Sequence, residues 1–343
     1  MPDSSTTRQH VTEPAGGHAR RFLLPAGAFL LLVTGLLLPR PERLPRLRVS
    51  PGLWPGSEAI VLAHAQGRLP ADQFQLIELP WSSAAMRALG NGAADVAVVT
   101  LDGVLRMREA GQDLRVLMVL DESKGADAVL ARHAVTEMAA LRGKRVGVDV
   151  RGVGIYLLIN ALESAGMKMD DLKLVPMIQP EMEQALTDGA VDAVVASEPW
   201  ASRLRKAGTH AVYDSRQLHV PVMRMVVASG DACRRFRPQL EALLKAQTEL
   251  VEAVWSGGEV AEVAEVEMVL RRERLTLDVF REASRLWMPL DFARNEVLLG
   301  GSEPQLGVMA STVAEQMQRA GFLKALPSGD TWMDETFLQE VRP

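Results

Sequence analysis

Apolar and polar positions along the chain fall into two alternating rhythms. Short β-branched or apolar runs such as Val146 to Val150 give way to stretches of helical spacing such as Ile155, Leu158, Ile159 and Leu162. From Leu47 onwards this alternation predicts a strand at Leu47-Arg48-Val49, a loop at Trp54-Pro55-Gly56-Ser57 and a helix from Glu58 to Gln66. Ser57 is the expected N-cap of that helix, and Gly67 ends it. Phe74 to Leu79, Asp95 to Val99 and Arg115 to Leu120 read as further strands. Helices are predicted to open at Trp81-Ser82-Ser83 and at Thr100-Leu101-Asp102-Gly103. A polar segment, Asp121 to Asp127, precedes the strand Ala128 to Ala131. The strand Val222 to Ser229 lies far downstream, and Ala232 to Pro343 is helical by pattern, with Met268, Met288 and Met309 as packing residues.

The clearest corner is Arg145-Val146-Gly147-Val148-Asp149-Val150-Arg151-Gly152-Val153-Gly154, a strand that breaks on glycines into a helix start. Such a corner aims free backbone N–H groups and the positive end of a helix dipole at one point, which suits an anion. Gly152-Val153-Gly154 lacks the third glycine of a dinucleotide fingerprint.

The pattern occurs twice. A shift of 97 residues carries Leu44, Arg48 and Val49 onto Leu141, Arg145 and Val146, and Pro55-Gly56-Ser57 onto Gly152-Val153-Gly154. The same shift carries Ala88-Leu89 onto Ala185-Leu186, and the segment from Gly92 to Thr100 onto that from Gly189 to Ser197. Two copies of a βαβαβ unit predict two lobes with a cleft between them. The polar segment around Asp121 to Asp127 marks the first crossing between lobes, and Val222 to Ser229 the return.

Composition narrows the functions. The 343 residues suffice for about two domains. Net charge is −5 with mixed signs, so no nucleic-acid surface is expected. Cys233 is the lone cysteine and the six histidines are scattered, so neither a disulfide nor a metal site is expected. No cofactor is expected either. Ahead of the globular part, Arg20-Arg21 precedes an apolar run at residues 22–38 without a small-x-small cleavage site. It reads as a poorly marked export signal or, preferably, an uncleaved membrane anchor, with the body outside the cytoplasm.

Trp54-Pro55-Gly56, Leu89-Gly90-Asn91-Gly92 with Asp95, Leu120-Asp121 with Ser123 and Gly125-Ala126-Asp127, Leu141 to Val148 and Ser197-Glu198-Pro199-Trp200 follow one another in a familiar order. Over about residues 45–230 the chain resembles the nitrate/sulfonate/taurine class of periplasmic solute-binding proteins of ABC transporters. The resemblance implies a two-lobed α/β fold of the periplasmic-binding-protein type II, with two crossing strands and C-terminal helices packed on the first lobe. It divides the chain into an N-terminal tail and anchor (1–44), a first lobe (45–122 with 225–343) and a second (123–224). It also implies a small-molecule ligand, an anion of the nitrate, sulfonate or taurine kind, and an ABC permease partner.

Carried onto this chain, the resemblance assigns Trp54 and Ser57 to the first lobe's ligand loop, with Ser82, Ser83 and Thr100 offering hydroxyls. Ser123 and Asp127 would stand at the crossing. Gly152, Val153, Gly154 and Tyr156 would form the second lobe's helix-terminus site, and Glu198 would face the cleft. Ser82, Ser83 and Thr100 have a second reading as helix caps, and Asp95 and Asp192 read as turn-fixing residues. Asp127 and Glu198 sit badly beside a bare anion unless they hold nearby donors or the ligand also carries an amine or hydroxyl. Two features depart from the family pattern: the lipid-anchoring cysteine is missing, and Pro55-Gly56 is followed by Ser57 where an aromatic is common. A membrane-held sensor and an enzyme like the thiamine-pyrimidine synthases are the competing functions. The latter needs a cysteine-rich stretch that the chain lacks.

Overall fold

The computed structural model describes residues 45–79, 81–255, 266–325 and 332–342; the run at 22–38 lies outside them. Among the described residues no helix is long and apolar enough to cross a membrane.

The first lobe opens with strand β1 (Leu47–Ser50), helix α1 (Glu58–Ala65), β2 (Phe74–Leu76), α2 (Ser82–Gly90), β3 (Val96–Thr100) and α3 (Leu101–Glu109). Strand β4 (Leu114–Ser123) then runs into β5 (Asp127–Ala131) of the second lobe. There follow β6 (Arg145–Val148), α4 (Gly154–Ser164), β7 (Lys173–Pro176), α5 (Met182–Thr187), β8 (Ala193–Ser197), α6 (Trp200–Lys206) and β9 (His210–Asp214). Strand β10 (Met223–Ser229) returns to the first lobe. Strand β3 is buried along its whole length, as a parallel strand covered by helices on both faces should be.

The two sheets repeat one plan. The first runs β11-β4-β10-β3-β1-β2 and the second β7-β6-β8-β5-β9, where β11 is Trp287–Pro289. In each, three parallel strands are followed by one antiparallel strand, β10 or β5, that comes from beyond a crossing. The register repeats with the sequence: Val49 pairs Val96 and Ser50 pairs Ala97 in one sheet, Val146 pairs Ala193 and Gly147 pairs Val194 in the other. The 97-residue shift found in the sequence is therefore a structural repeat.

Asp95 and Asp192 mark the same point in both copies. Asp95 accepts the backbone N–H of Arg48 at 2.9 Å and forks onto its guanidinium at 2.9 and 2.7 Å. Asp192 treats Arg145 alike, at 2.9, 3.2 and 3.1 Å. Each carboxylate ties the start of the first strand of its copy to the turn before the third.

The C-terminal region supplies α7 (Gly230–Arg235), α8 (Arg237–Val254), α9 (Val266–Glu273), α10 (Leu277–Ser284), α11 (Phe292–Leu299) and α12 (Gln305–Arg319). It is not helical throughout, because Trp287–Pro289 joins the edge of the first sheet beside β4. Three residues are too few to show a strand's period of two in the sequence. Ser57 holds the N-cap position of α1, as expected, but its hydroxyl donates to the Trp54 carbonyl at 3.0 Å and makes no cap bond. Of the three methionines, Met268 and Met309 pack on the core, whereas Met288 is exposed.

Removing one of the paired turn carboxylates should cost stability without touching the cleft. Asp192→Ala is expected to lower the unfolding free energy by about 1 kcal/mol, a charge-assisted bond discounted for exposure, as read by urea denaturation. Hydrogen bonds from Arg145 hold the Asp192 carboxyl below its ordinary value. Its stabilisation is therefore complete above the unfolded carboxylate pKa of about 3.9 and is lost as pH falls through the lower folded value, where wild type and variant should converge.

Candidate functional site

Both crossings place a charge at the junction of the sheets. The shift of 97 residues carries Asp127, the first residue of β5, onto Arg224 in β10. Asp127 lies opposite Ser197 in one sheet, and Arg224 lies opposite Thr100 in the other. The two equivalent positions meet: Arg224 Nη2 donates to Asp127 Oδ1 at 2.8 Å and Nη1 to Oδ2 at 3.2 Å. Both are buried, at 5% and 2% exposure. A charge pair so deep survives only with further partners. Here the guanidinium carbon lies 3.2 Å from the centroid of the Trp54 ring. Ser197 Oγ adds a 2.5 Å bond to Asp127.

The Trp54 corner is fixed from several sides. Its indole N–H donates to Asp121 Oδ2 at 2.8 Å. Gly56 is demanded by proximity: a Cβ there would lie 2.3 Å from Asp121 Oδ2. Gln247 in α8 donates to the Gly56 carbonyl at 2.7 Å, and Arg272 in α9 bonds the Gly52 carbonyl and Glu58. Burial pushes the Asp121 carboxyl up to about 7, against the pull of Arg224 and the Trp54 bond. Its Oδ1 is buried without a partner. The Gly152 corner is held from the opposite lobe. Arg106 of α3 donates from Nη1 to the Val150 carbonyl at 3.1 Å and from Nη2 to the Gly152 carbonyl at 2.9 Å, and Nη2 also pairs with Asp102 at 2.8 Å.

Between the corners lies a cavity of about 60 Å³. That suits a compact headgroup; a drug-sized ligand takes roughly 300 Å³ or more. Of the residues expected to contact ligand, Trp54, Ser82, Thr100, Gly152, Val153 and Glu198 line it. The other six stand behind. Ser57 is bonded to Trp54, and Ser83 is buried in α2. Ser123 Oγ pairs with Ser215 Oγ at 2.7 Å, and Asp127 holds Arg224. Gly154 packs its Cα side on Val148 and Val195, and the Tyr156 hydroxyl donates to the Val220 carbonyl at 2.8 Å. Arg151 is exposed and outside the lining.

The acids that sat badly beside an anion prove to be holders of bases. Glu198 lines the cavity, but its oxygens accept from Arg205 at 2.6 Å and from the Ser202 N–H at 3.0 Å. Burial raises its pKa, with Arg205 opposing. Asp149 also lines the cavity, with one oxygen taken by the Arg151 N–H at 3.1 Å, and the open groups beside it are donors. Trp81 Nε1 and Ser82 Oγ are buried and unpartnered. Thr100 makes no cap bond, and its hydroxyl is likewise buried without a partner. α2, α3 and α4 begin here, each with first-turn N–H groups free of intrahelical bonds.

Arg224, Trp81, Trp200 and Gln179 were missed in the sequence. Arg224 did leave a signal: it is the charged residue inside Val222-Met223-Arg224-Met225-Val226-Val227, and a charge in a buried strand needs a partner.

The family described as NMT1/THI5 like matches residues 74–252, and the chain belongs to it. Among curated proteins, a "Putative binding protein" of Brucella abortus (strain 2308) is 27% identical over 146 residues, 43% of this chain and 41% of the relative. The matched stretch thus spans about two-fifths of that relative's length. A "Putative aliphatic sulfonates-binding protein" of Escherichia coli K12 is 25% identical over 175 residues, 49% of this chain and 55% of the relative. Among solved structures, the alkanesulfonate-binding protein SsuA from Xanthomonas axonopodis pv. citri, bound to MOPS, superposes with a TM-score of 0.70 at 17% identity, covering 84% of this chain and 98% of that one. The desulfurization enzyme DSZB superposes with a TM-score of 0.60 at 17% identity, covering 86% and 98%. The fold is that of the two-lobed periplasmic binding proteins.

The raised Asp121 carboxyl carries a pH signature. The folded protein keeps this proton up to about pH 7, whereas the unfolded chain releases it near pH 4. Asp121 therefore lowers stability progressively as pH rises from about 4 to 7. Asp121→Asn, which can still accept from Trp54, should make that decline shallower by on the order of 1 kcal/mol or more in urea titrations at the two pH values. An unchanged slope would show that the carboxyl titrates normally.

Proposed function

We propose that the protein is the extracytoplasmic solute-binding component of an ABC importer, and that it traps a small sulfonate-like anion between its lobes. The observation that carries this reading is the pair of buried, unpartnered donors, Trp81 Nε1 and Ser82 Oγ, at the cavity beside three helix N-termini. A buried polar group without a partner costs about 1–3 kcal/mol, so donors kept in that state fit a site that a ligand completes. The lining carboxylate of Glu198 is spent on Arg205 and Ser202, and that of Asp149 accepts from the Arg151 N–H, which leaves the unpartnered donors to meet the solute. The preference is thus for an oxyanion head with several acceptor oxygens and little depth.

Contacts across the cleft supply the switch. Arg106 reaches the Gly152 loop, and Gln316 of α12 donates to Asn160 of α4 at 3.0 Å. Ligand contacts made by both lobes only when they are together select this closed arrangement. We take residues 45–122 with 225–343 as one lobe and 123–224 as the other, the segment at 22–38 as the export signal or inner-membrane anchor, and a permease as partner. Binding, rather than catalysis, also agrees with the cysteine chemistry. Cys233 lies in α7, away from the cavity lining, and burial pushes its thiol up to about 11. That is the wrong direction for a nucleophile.

The full-length protein should be stabilised by short alkanesulfonates in a thermal-shift series, by about 2.7 kcal/mol at a hundred times Kd. Ser82→Ala should separate binding from folding. Losing an unpartnered hydroxyl leaves stability equal or higher, while sulfonate affinity drops about tenfold. A protein that no small sulfonate, sulfate or nitrate stabilises is not the receptor described here.

A further inference from the structure

Next to the inner cavity, and sharing Leu53, Gln179 and Trp200 with it, lies a second cavity of about 320 Å³. Its wall is basic: Arg203 comes from the second lobe, Arg272 and Arg274 from the first, with Glu183 as the lining acid. Arg272 is already engaged by Glu58 and Glu78. The other two form no ion pair among the described residues, although the carboxylates of Glu273, Glu183 and Glu198 attract Arg203 from nearby. Arg203 stacks over Trp200 at 5.7 Å and gives one arm to the Glu273 carbonyl, but its Nε is buried without a partner. Arg274 is exposed and has no ion-pair partner among the described residues. It also stands just past the end of α9 with φ of 53°, in the left-handed region where glycine is the usual residue. Two like charges thus face one chamber, one of them on a backbone that disfavours any side chain. Burial lowers the pKa of Arg203, and the charge of Arg274 lowers it further. A residue held in so unusual a conformation points to function sooner than to packing.

We propose that this chamber receives a second anionic group, so that the solute is a short dianion whose sulfonate head sits in the inner cavity and whose other end, a carboxylate or a second sulfonate, meets Arg203 and Arg274. The inference rests on the solute-binding reading above and adds the class of solute. The two arginines come from opposite lobes, so the distal anion bridges the mouth and helps to close it. Arginine suits this role because its planar fork meets carboxylate and sulfonate oxygens with paired bonds.

Calorimetric titration of the full-length protein with α,ω-alkanedisulfonates and ω-sulfocarboxylates, each against the alkanesulfonate of equal chain length, tests it. The best dianion should bind about tenfold more tightly than its monoanionic counterpart. Arg274→Gly, which suits the local backbone and keeps the fold, should abolish that preference and leave monosulfonate affinity unchanged, while Arg274→Lys keeps most of the preference. Monosulfonates that bind as tightly as every dianion, or a preference that survives Arg274→Gly, would overturn the proposal and leave the receptor reading standing. Failure of both ligand classes to bind would remove the receptor reading and this inference together.

Discussion

The structure turns on one buried ion pair. Arg224 and Asp127 occupy equivalent positions of the two copies, yet one is a base and the other an acid. A duplicated fold brings its own equivalent residues together near the axis that relates the copies. Two identical charges there would repel at close range. The chain instead holds opposite charges, and the strands that follow the two crossings, β5 and β10, each begin at or next to one member of the pair. The pair therefore sits where the two sheets meet, beside the loops that line the inner cavity.

Its neighbours follow from that constraint. A buried guanidinium needs more than one carboxylate, and the Trp54 face supplies the rest. Trp54 is then anchored by Asp121, and Gly56 must be glycine because Asp121 lies so near. On the far side Asp127 receives Ser197, which in turn meets Gln179 of the cavity wall. The cavity lining is thus assembled outwards from the pair, and its free donors are those the pair does not consume.

Much of the fold was legible because a repeat announces itself. The shift that aligned Gly92 to Thr100 with Gly189 to Ser197 also aligns the strand pairings. The alternation of strand and helix placed most elements within a few residues. β11 escaped because three residues embedded among helices carry no period. The site was less legible. Loop corners such as Trp54 and Gly152 could be found from glycine and strand breaks, whereas Ser123, Asp127 and Tyr156 turned out to spend their polar groups inside the protein. Whether a hydroxyl faces a cavity or a carbonyl depends on partners distant in sequence, such as Ser215 and Val220. Arg224 was the readable clue left unread. The arginines of the outer chamber could not have been found, since Arg203 and Arg274 meet only through the fold.

A double-mutant cycle on the pair tests the account at its centre. Asp127→Leu alone and Arg224→Met alone each strand a buried charge and should each cost about 3–5 kcal/mol in urea unfolding, while the double replacement should cost far less than their sum. Additive losses, or single losses near zero, would contradict the claim that the two lobes are joined through this contact.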